Sequence, residues 1–380
     1  MEYLLTEEQR MLKEMIENFS RDKIKPTAAA HDREKRFPAE IIKELAELRL
    51  MSVPYPEEYD GAGMDNVSYM IAMEAISRHC AATGVIVSVH SLSIDPIYRL
   101  GSAEQKKKYL PMMCRVEKLG CFCLTEAQAG SDAGSIRTRA ELVGDKWVLN
   151  GAKQFITNAP EAGIAIVFAV TSTKAGKQGI STFIVETETP GFRVGRLEDK
   201  MGIRASSTAE VHFEDCAIPQ ENLLGKLNHG FKQAMSTLDE GRIGIASQAL
   251  GIAKGSIEDS MVYAKERVQF GRPISEFQGI RWYFARMQTE YEAAKLLTHR
   301  AAFLRDRNKS CTKESSMAKL KATDTAVMCS SRAVQIHGGY GYTKEFAVER
   351  YFRDAKVTQI YEGSNEIQRE VIGKRILNGP

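Results

Sequence analysis

The stretch GCFCLTEAQAGSD, residues 120–132, decides how the chain divides. Its first residues read as a strand, with Cys121 and Cys123 on one side, and the acid-flanked turn that follows carries Thr125, Gly130 and Ser131. Further short runs rich in β-branched and aromatic residues follow: KWVLNGAKQFIT (146–157), GIAIVFAVT (163–171), GISTFIVE (179–186) and AEVHFED (209–215). Gly, Asn, Asp and Pro turns separate them, so residues 116–225 form a middle β domain.

The texture on either side is helical. In residues 1–115, Leu12, Met15, Ile16 and Phe19 recur at helix spacing, and YDGAGMD (59–65) marks a turn. In residues 226–380, long helical patterns cover 236–267, 275–305 and 311–336, lengths that suit a bundle of antiparallel helices. The fold class expected is multi-domain α+β.

Composition excludes several functions. The 380 residues carry 52 Lys plus Arg against 49 Asp plus Glu, too even a balance to hold nucleic acid or an anionic membrane by a global field. Seven scattered cysteines lack CxxC spacing, which predicts no metal site and fits a reduced cytoplasm. The opening residues carry acids within an amphipathic helix, unlike a signal peptide, and no apolar run is long enough for a membrane span. No Gly-rich dinucleotide or P-loop signature appears, nor HExxH or GxSxG.

Several segments offer chemistry, each with a plainer alternative. The turn at Thr125, Gly130 and Ser131 presents hydroxyls and backbone N–H groups, to a ligand or only to itself. Alternation in KQFITNA (153–159) puts Phe155 and Thr157 on one face and Ile156 on the other, for a ligand or for the core. Asp239 and Arg242, three apart on a helix, can pair with each other or hold a polar group. Arg267 and Phe270 precede Gly271 at a helix end, where an arginine either caps the helix or binds phosphate. His337 reads as a structural histidine, while the glycines of VQIHGGYGY (334–342) allow close approach of a partner or cofactor. Glu362 lies just ahead of a helix capped by Ser364 or Asn365, and an acid there is either a dipole partner or a base.

Together these segments resemble the acyl-CoA dehydrogenase family, closest to its short-chain, butyryl-CoA-type branch. The resemblance runs through PEEYDGAGMD (56–65), LTEAQAGSD (124–132), FITNA (155–159), KMGIRASSTAEVHFED (200–215) and IPQENLLG (218–225). It continues through LDEGRIGIASQALGIA (238–253), RVQFGRPISEFQ (267–278), QIHGGYGY (335–342) and IYEGSNEIQRE (360–370), in the family's order. It implies an N-terminal helical domain, a middle β-barrel-like domain and a C-terminal four-helix bundle, assembled as a homotetramer.

The resemblance also implies site residues. Leu124, Thr125, Gly130, Ser131, Phe155, Ile156 and Thr157 would flank the flavin of FAD, with Ser131 also touching the acyl-CoA. Arg267, Phe270, Gln278, Gln335, Ile336, Gly338 and Gly339 would hold the FAD of a neighbouring subunit, and Ser364, Asn365 and Glu366 would complete that site. Asp239, Arg242, Tyr361 and Gly363 would position the substrate. Glu362 would be the general base, with its backbone N–H and a ribityl hydroxyl of FAD at the thioester oxygen. In the isovaleryl-type branch the base precedes the helix arginine instead; that position here is Gly241, and Glu240 lies about 100° away around the helix. Many relatives carry Trp where this chain has Phe155, a smaller shield.

The expected reaction is α,β-dehydrogenation of a short acyl-CoA, straight-chain first and branched next, with an electron-transferring flavoprotein as acceptor. The alternatives are an acyl-CoA oxidase using oxygen, whose members usually carry extra C-terminal sequence, and a non-catalytic flavin- or CoA-binding protein.

Overall fold

A computed structural model describes residues 5–378. The first helix, α1 (Glu7–Phe19), starts at a capping box in which the Thr6 hydroxyl accepts from the Gln9 N–H and the Gln9 side chain accepts from the Thr6 N–H. Leu12 and Ile16 are buried, but Met15, expected on the same face, is 37% exposed. Met15 lies about 100° from Ile16, at the edge of an apolar stripe that is narrower than the run of apolar residues suggested. A π-helical turn at Ser20–Ile24 leads to α2 (Lys25–Glu34), followed by α3 (Ala39–Glu47), α4 (Asn66–Ser77), α5 (Ala81–Leu100) and α6 (Ala103–Cys114). Residues Ala81–Ile97 of α5 are buried all round, so this helix is a core element rather than an amphipathic cover.

The middle region is one eight-stranded sheet: β1 (Leu119–Cys123), β2 (Arg139–Val143), β3 (Lys146–Thr157), β4 (Ala162–Val170), β5 (Ile180–Glu186), β6 (Phe192–Leu197), β7 (Thr208–Pro219) and β8 (Leu223–Leu224). The order is β6-β7-β3-β2-β4-β5-β8, with β1 parallel to β4. One face packs Cys121, Cys123, Trp147, Leu149, Phe183 and Phe213 into its own core. The other sets Ile164, Ile166, Phe168 and Ile184 against α5, α6 and the start of the next helix.

That helix, α7 (Gly230–Glu266), runs 37 residues, about 55 Å. It packs with α8 (Gln278–Asp306) and α9 (Thr312–His337), and α10 (Val348–Thr358) and α11 (Asn365–Leu377) lie against α9. Between α7 and α8 a two-stranded ribbon pairs β9 (Val268–Gln269) with β10 (Arg272–Pro273). No helix among the described residues is long and apolar enough to cross a membrane.

The helices α4 and α7 approach through glycine. A Cβ at Gly251 would lie 2.5 Å from the Glu74 carbonyl oxygen, and one at Gly255 would lie 2.5 Å from that of Arg78. The atoms met are backbone, so they cannot swing aside. Gly251→Ala should therefore destabilise the fold by about 1–2 kcal/mol, although alanine is the better helix former by about 1 kcal/mol. A urea midpoint below that of the parent protein is the expected result.

Candidate active site

Residues 359–364 carry the chain from α10 to α11, with Glu362 at φ 52° and Gly363 at φ 87°. Ser364 is the N-cap, its hydroxyl accepting from the Ile367 N–H at 3.5 Å, and Glu366 is the acid of the first turn. Glu362 is therefore not serving the helix dipole. Its Oε2 is sealed from solvent with no hydrogen-bond partner among the described residues. Burial pushes its carboxyl up to about 7, opposed by the positive charges of Arg242 and Lys319.

The seat for this carboxylate is α7. A Cβ at Gly241 would fall on the Glu362 Oε2 and reach the Leu92 side chain at 3.0 Å. Arg242, one residue on, is buried and paired to Asp239 at 2.6 Å, while Asp239 accepts from the Thr312 hydroxyl at 2.6 Å. Both readings of the Asp239–Arg242 spacing meet here, since the pair also lines a cavity of about 920 Å³. Glu240 lines the same cavity but is engaged away from Glu362: buried, it pairs with Arg305 at 2.6 Å and accepts from the Tyr55 hydroxyl at 3.3 Å. The Tyr361 hydroxyl turns inward to the Gln248 side-chain oxygen.

A second group gathers on the sheet. Lys153 of β3 is buried, and its ammonium donates to the Leu124 carbonyl at 3.1 Å and to Glu126 at 2.8 Å. Glu126 also accepts from the backbone N–H groups of Arg137 and Thr138, at 2.6 and 3.0 Å, and from the Gln128 side-chain amide at 2.8 Å, so one carboxylate fixes both ends of the turn through Gly130 and Ser131. The β3–β7 register slips between Lys153 and Ile156, and Phe155 sits in the slip at φ 58°, 61% exposed. Ile156 is buried in the sheet core, opposite Ala209 of β7, whereas Thr157 is half-buried.

A third group lies at the far end of the bundle. Arg267, the C-cap of α7, stands over the Tyr340 ring at 5.6 Å. It shares a cavity of about 530 Å³ with Ile336, Gly338 and Gly339. Phe270 is 94% exposed at φ 51°, and Gln278 and Gln335 are exposed, one at the start of α8 and the other near the end of α9. His337 is buried, stacked on Tyr263 at 4.2 Å with its Nδ1 at 2.8 Å from the Ala333 carbonyl, a structural role.

Three family models match in order: acyl-CoA dehydrogenase N-terminal domain over residues 6–117, middle domain over 121–216 and C-terminal domain over 228–377. The chain belongs to the acyl-CoA dehydrogenase family. The mouse mitochondrial short-chain specific acyl-CoA dehydrogenase is 50% identical over 98% of this chain and 91% of its own length. The butyryl-CoA dehydrogenase of Megasphaera elsdenii superposes with a TM-score of 0.96 at 42% identity, covering 98% and 99% of the two chains. A chain from the structure of the electron-transferring flavoprotein of Acidaminococcus fermentans, studied for flavin-based electron bifurcation, reaches 0.98 at 46% identity over 99% and 100%.

Acyl-CoA dehydrogenases are FAD-dependent oxidoreductases, and the residues present fit that cofactor. A Cβ at Gly130, Gly338 or Gly339 would meet nothing within 4 Å, so backbone lies open to a ligand at both the second and third groups. Each adds an aromatic held outward by a left-handed backbone, Phe155 or Phe270. No cluster of metal-ligating side chains occurs among the described residues.

Three residues near these groups escaped the reading of the sequence. Lys319 and Gln368 hold the Glu362 loop: Lys319 donates to the Gly363 carbonyl at 2.9 Å and Gln368 to the same oxygen at 2.8 Å. Lys153 holds the turn. None left a plain signal: Lys319 falls in register with Ser315, Thr323 and Ala326 on α9, a small and mostly polar face, and the residues two on either side of Lys153, Gly151 and Phe155, are exposed.

The buried Glu126–Lys153 pair is testable directly. Lys153→Met leaves Glu126 without its counter-ion and should cost about 3 kcal/mol or more. The pair also sets an acid limit: Glu126 is lowered to about 2 from 4.5 unfolded, so its stabilisation is complete above about 4.5 and is lost as pH falls toward 2. Urea midpoints of the parent protein and Lys153→Met, compared from neutral to acid pH, should converge over that window.

Proposed function

We propose that this protein oxidises short-chain acyl-CoA to trans-2-enoyl-CoA, with Glu362 as the base that removes the α-proton. The observation that carries this is the Glu362 carboxylate lying unbonded against Gly241, with burial moving it to about 7. A thioester α-proton is weakly acidic, so its base must be water-poor and still ionised near neutral pH. Bound FAD supplies the acceptor for the β-hydride. The chain's own residues do the rest: the sheet group would flank the flavin, and Ser364–Glu366 would complete the cofactor site.

The cavity beside Asp239 and Arg242 suits the anionic CoA. Its carboxylates are engaged, Asp239 by Arg242, Asp95 and Glu240 by Arg305, Asp65 by Gln9 and Ser68, and Asp306 by Asn66. The lining cations Lys309 and Arg375 remain to face phosphate. The acyl end is short. One turn of α7 beyond Gly241, a Cβ at Gly244 would lie 2.8 Å from the Ser88 hydroxyl and 2.9 Å from that of Tyr69, so side chains fill the space about 5 Å farther in.

A second copy of the chain would complete the cofactor site. From Arg242 to Arg267 is 25 residues of helix (267 − 242), about 38 Å, so one chain cannot bring the Glu362 loop and Arg267 to the same flavin. Phe270, almost fully exposed, would then be covered by the neighbour in a homotetramer. The physiological acceptor would be an electron-transferring flavoprotein. The seven free, buried cysteines suit a reducing cytoplasm.

Glu362→Gln should retain the flavin absorbance and lose about 10³-fold in kcat; full turnover in that variant overturns the base assignment. In the parent enzyme the carboxylate is the active form, so kcat/KM should fall as pH drops through about 7. With a dye acceptor, butyryl-CoA should exceed octanoyl-CoA in kcat/KM by about tenfold or more.

A further inference from the structure

We infer that Lys319 is a positioning residue for the base: from α9 it clamps the backbone after Glu362 and supplies the positive charge that favours the ionised carboxylate. The inference rests on the assignment of Glu362 as base and concerns what makes that base usable.

Lys319 is 0% exposed, among the largest fully buried side chains of the protein. Such a cation is expected to sit in an ion pair. Its hydrogen bonds go instead to two uncharged oxygens, the Gly363 carbonyl at 2.9 Å and the Asn365 side-chain oxygen at 3.0 Å. These residues flank the Ser364 cap, so a single ammonium fixes both sides of the turn that follows Glu362. The clamp is itself held, because the Asn365 amide donates to Asp324 at 2.8 Å and Gln368 shares the Gly363 carbonyl. Glu362 at φ 52° is in a conformation that costs a non-glycine residue free energy and persists only where its surroundings over-determine it. Lys319 and Gln368 are those surroundings.

The charge has a second use. Two cations lower the Glu362 carboxyl, Arg242 and Lys319. Arg242 is already neutralised by Asp239 at 2.6 Å. Lys319 adds a second positive charge toward Glu362, one whose hydrogen bonds go to uncharged oxygens. The charged groups that face Lys319 are Glu362 on the loop, Arg242 on α7, Asp324 on its own helix and Glu366 on α11. Burial and Arg242 move its amine down to about 7, and the three acids resist this. Loss of the Lys319 charge removes an opposite charge from the base and so moves the Glu362 titration upward.

The test is the pH dependence of kcat/KM in the flavin-loaded enzyme with butyryl-CoA. Lys319→Gln keeps a hydrogen-bond donor and loses the charge, whereas Lys319→Arg keeps both. The acid limb should move to higher pH by roughly half a unit to one unit in Lys319→Gln and stay at or below the parent position in Lys319→Arg, whose charge is permanent. An unmoved limb in a folded, flavin-loaded Lys319→Gln overturns the inference. If Lys319→Gln does not fold, Asp324→Asn at the half-exposed neighbour applies the same test. It removes an acid that helps Lys319 keep its proton, and the limb should again move upward; an unmoved limb overturns the inference. Glu362→Gln, assayed in parallel, separates the two assignments: turnover in that variant removes the base, and with it this inference, whatever Lys319 does. An inactive Glu362→Gln beside an unmoved limb removes only the role of Lys319.

Discussion

The contact of the Glu362 carboxylate with a helix backbone at Gly241 is the constraint on which the rest of the structure depends. A carboxylate can lie that close to α7 only if α7 offers no side chain there, and α7 stays rigid there only if its other faces are packed. Both conditions are met by glycine. Gly244 admits Tyr69 and Ser88, while Gly251 and Gly255 admit the backbone of α4. The price is helix propensity, about 1 kcal/mol at each glycine relative to alanine. Burial of α7 among α4, α5, α8, α9 and α10 offsets it.

Glu362 also shows how desolvation is used with restraint. Complete removal from water, with no counter-charge, would leave a carboxylic acid at neutral pH, which is no base. A close ion pair would do the opposite and bring the carboxyl low, as happens at Glu126 beside Lys153, where it falls to about 2. The intermediate value of about 7 arises because the nearby arginine is turned toward Asp239 and the nearby lysine toward carbonyl oxygens. The same pair of residue types, glutamate and lysine, thus performs two tasks in one chain. In the sheet, direct contact makes a fixed structural anchor; at the loop, indirect contact leaves a titratable group.

Much of this was legible in the sequence, for identifiable reasons. Helical and strand periods differ, so the change of texture at GCFCLT separated the helical and sheet regions, and the long apolar patterns of α7, α8 and α9 were plain. Met15 was misplaced because periodicity marks apolar residues without measuring the width of the face that is covered. The alternation of Phe155, Ile156 and Thr157 came through with the correct sides, but the bulge at Phe155 did not, since a register slip depends on the partner strand. Glu362 was found as a candidate base and could not be distinguished, from residues alone, from a helix-dipole acid. That distinction needed the cap at Ser364 and the seat at Gly241, which lie 2 and 121 residues away (364 − 362 and 362 − 241).

Lys319 was illegible for a deeper reason. A lysine in a helix rich in alanine, serine and threonine reads as solvated, because most lysines are. Its burial follows from α10 and α11 folding back over α9, and its partners are a backbone carbonyl and an asparagine more than forty residues on. Backbone carbonyls leave no mark in a sequence. A residue whose task is to hold backbone can be recognised only after the fold is known, even when, as at Lys319, burying the cation carries a large desolvation penalty.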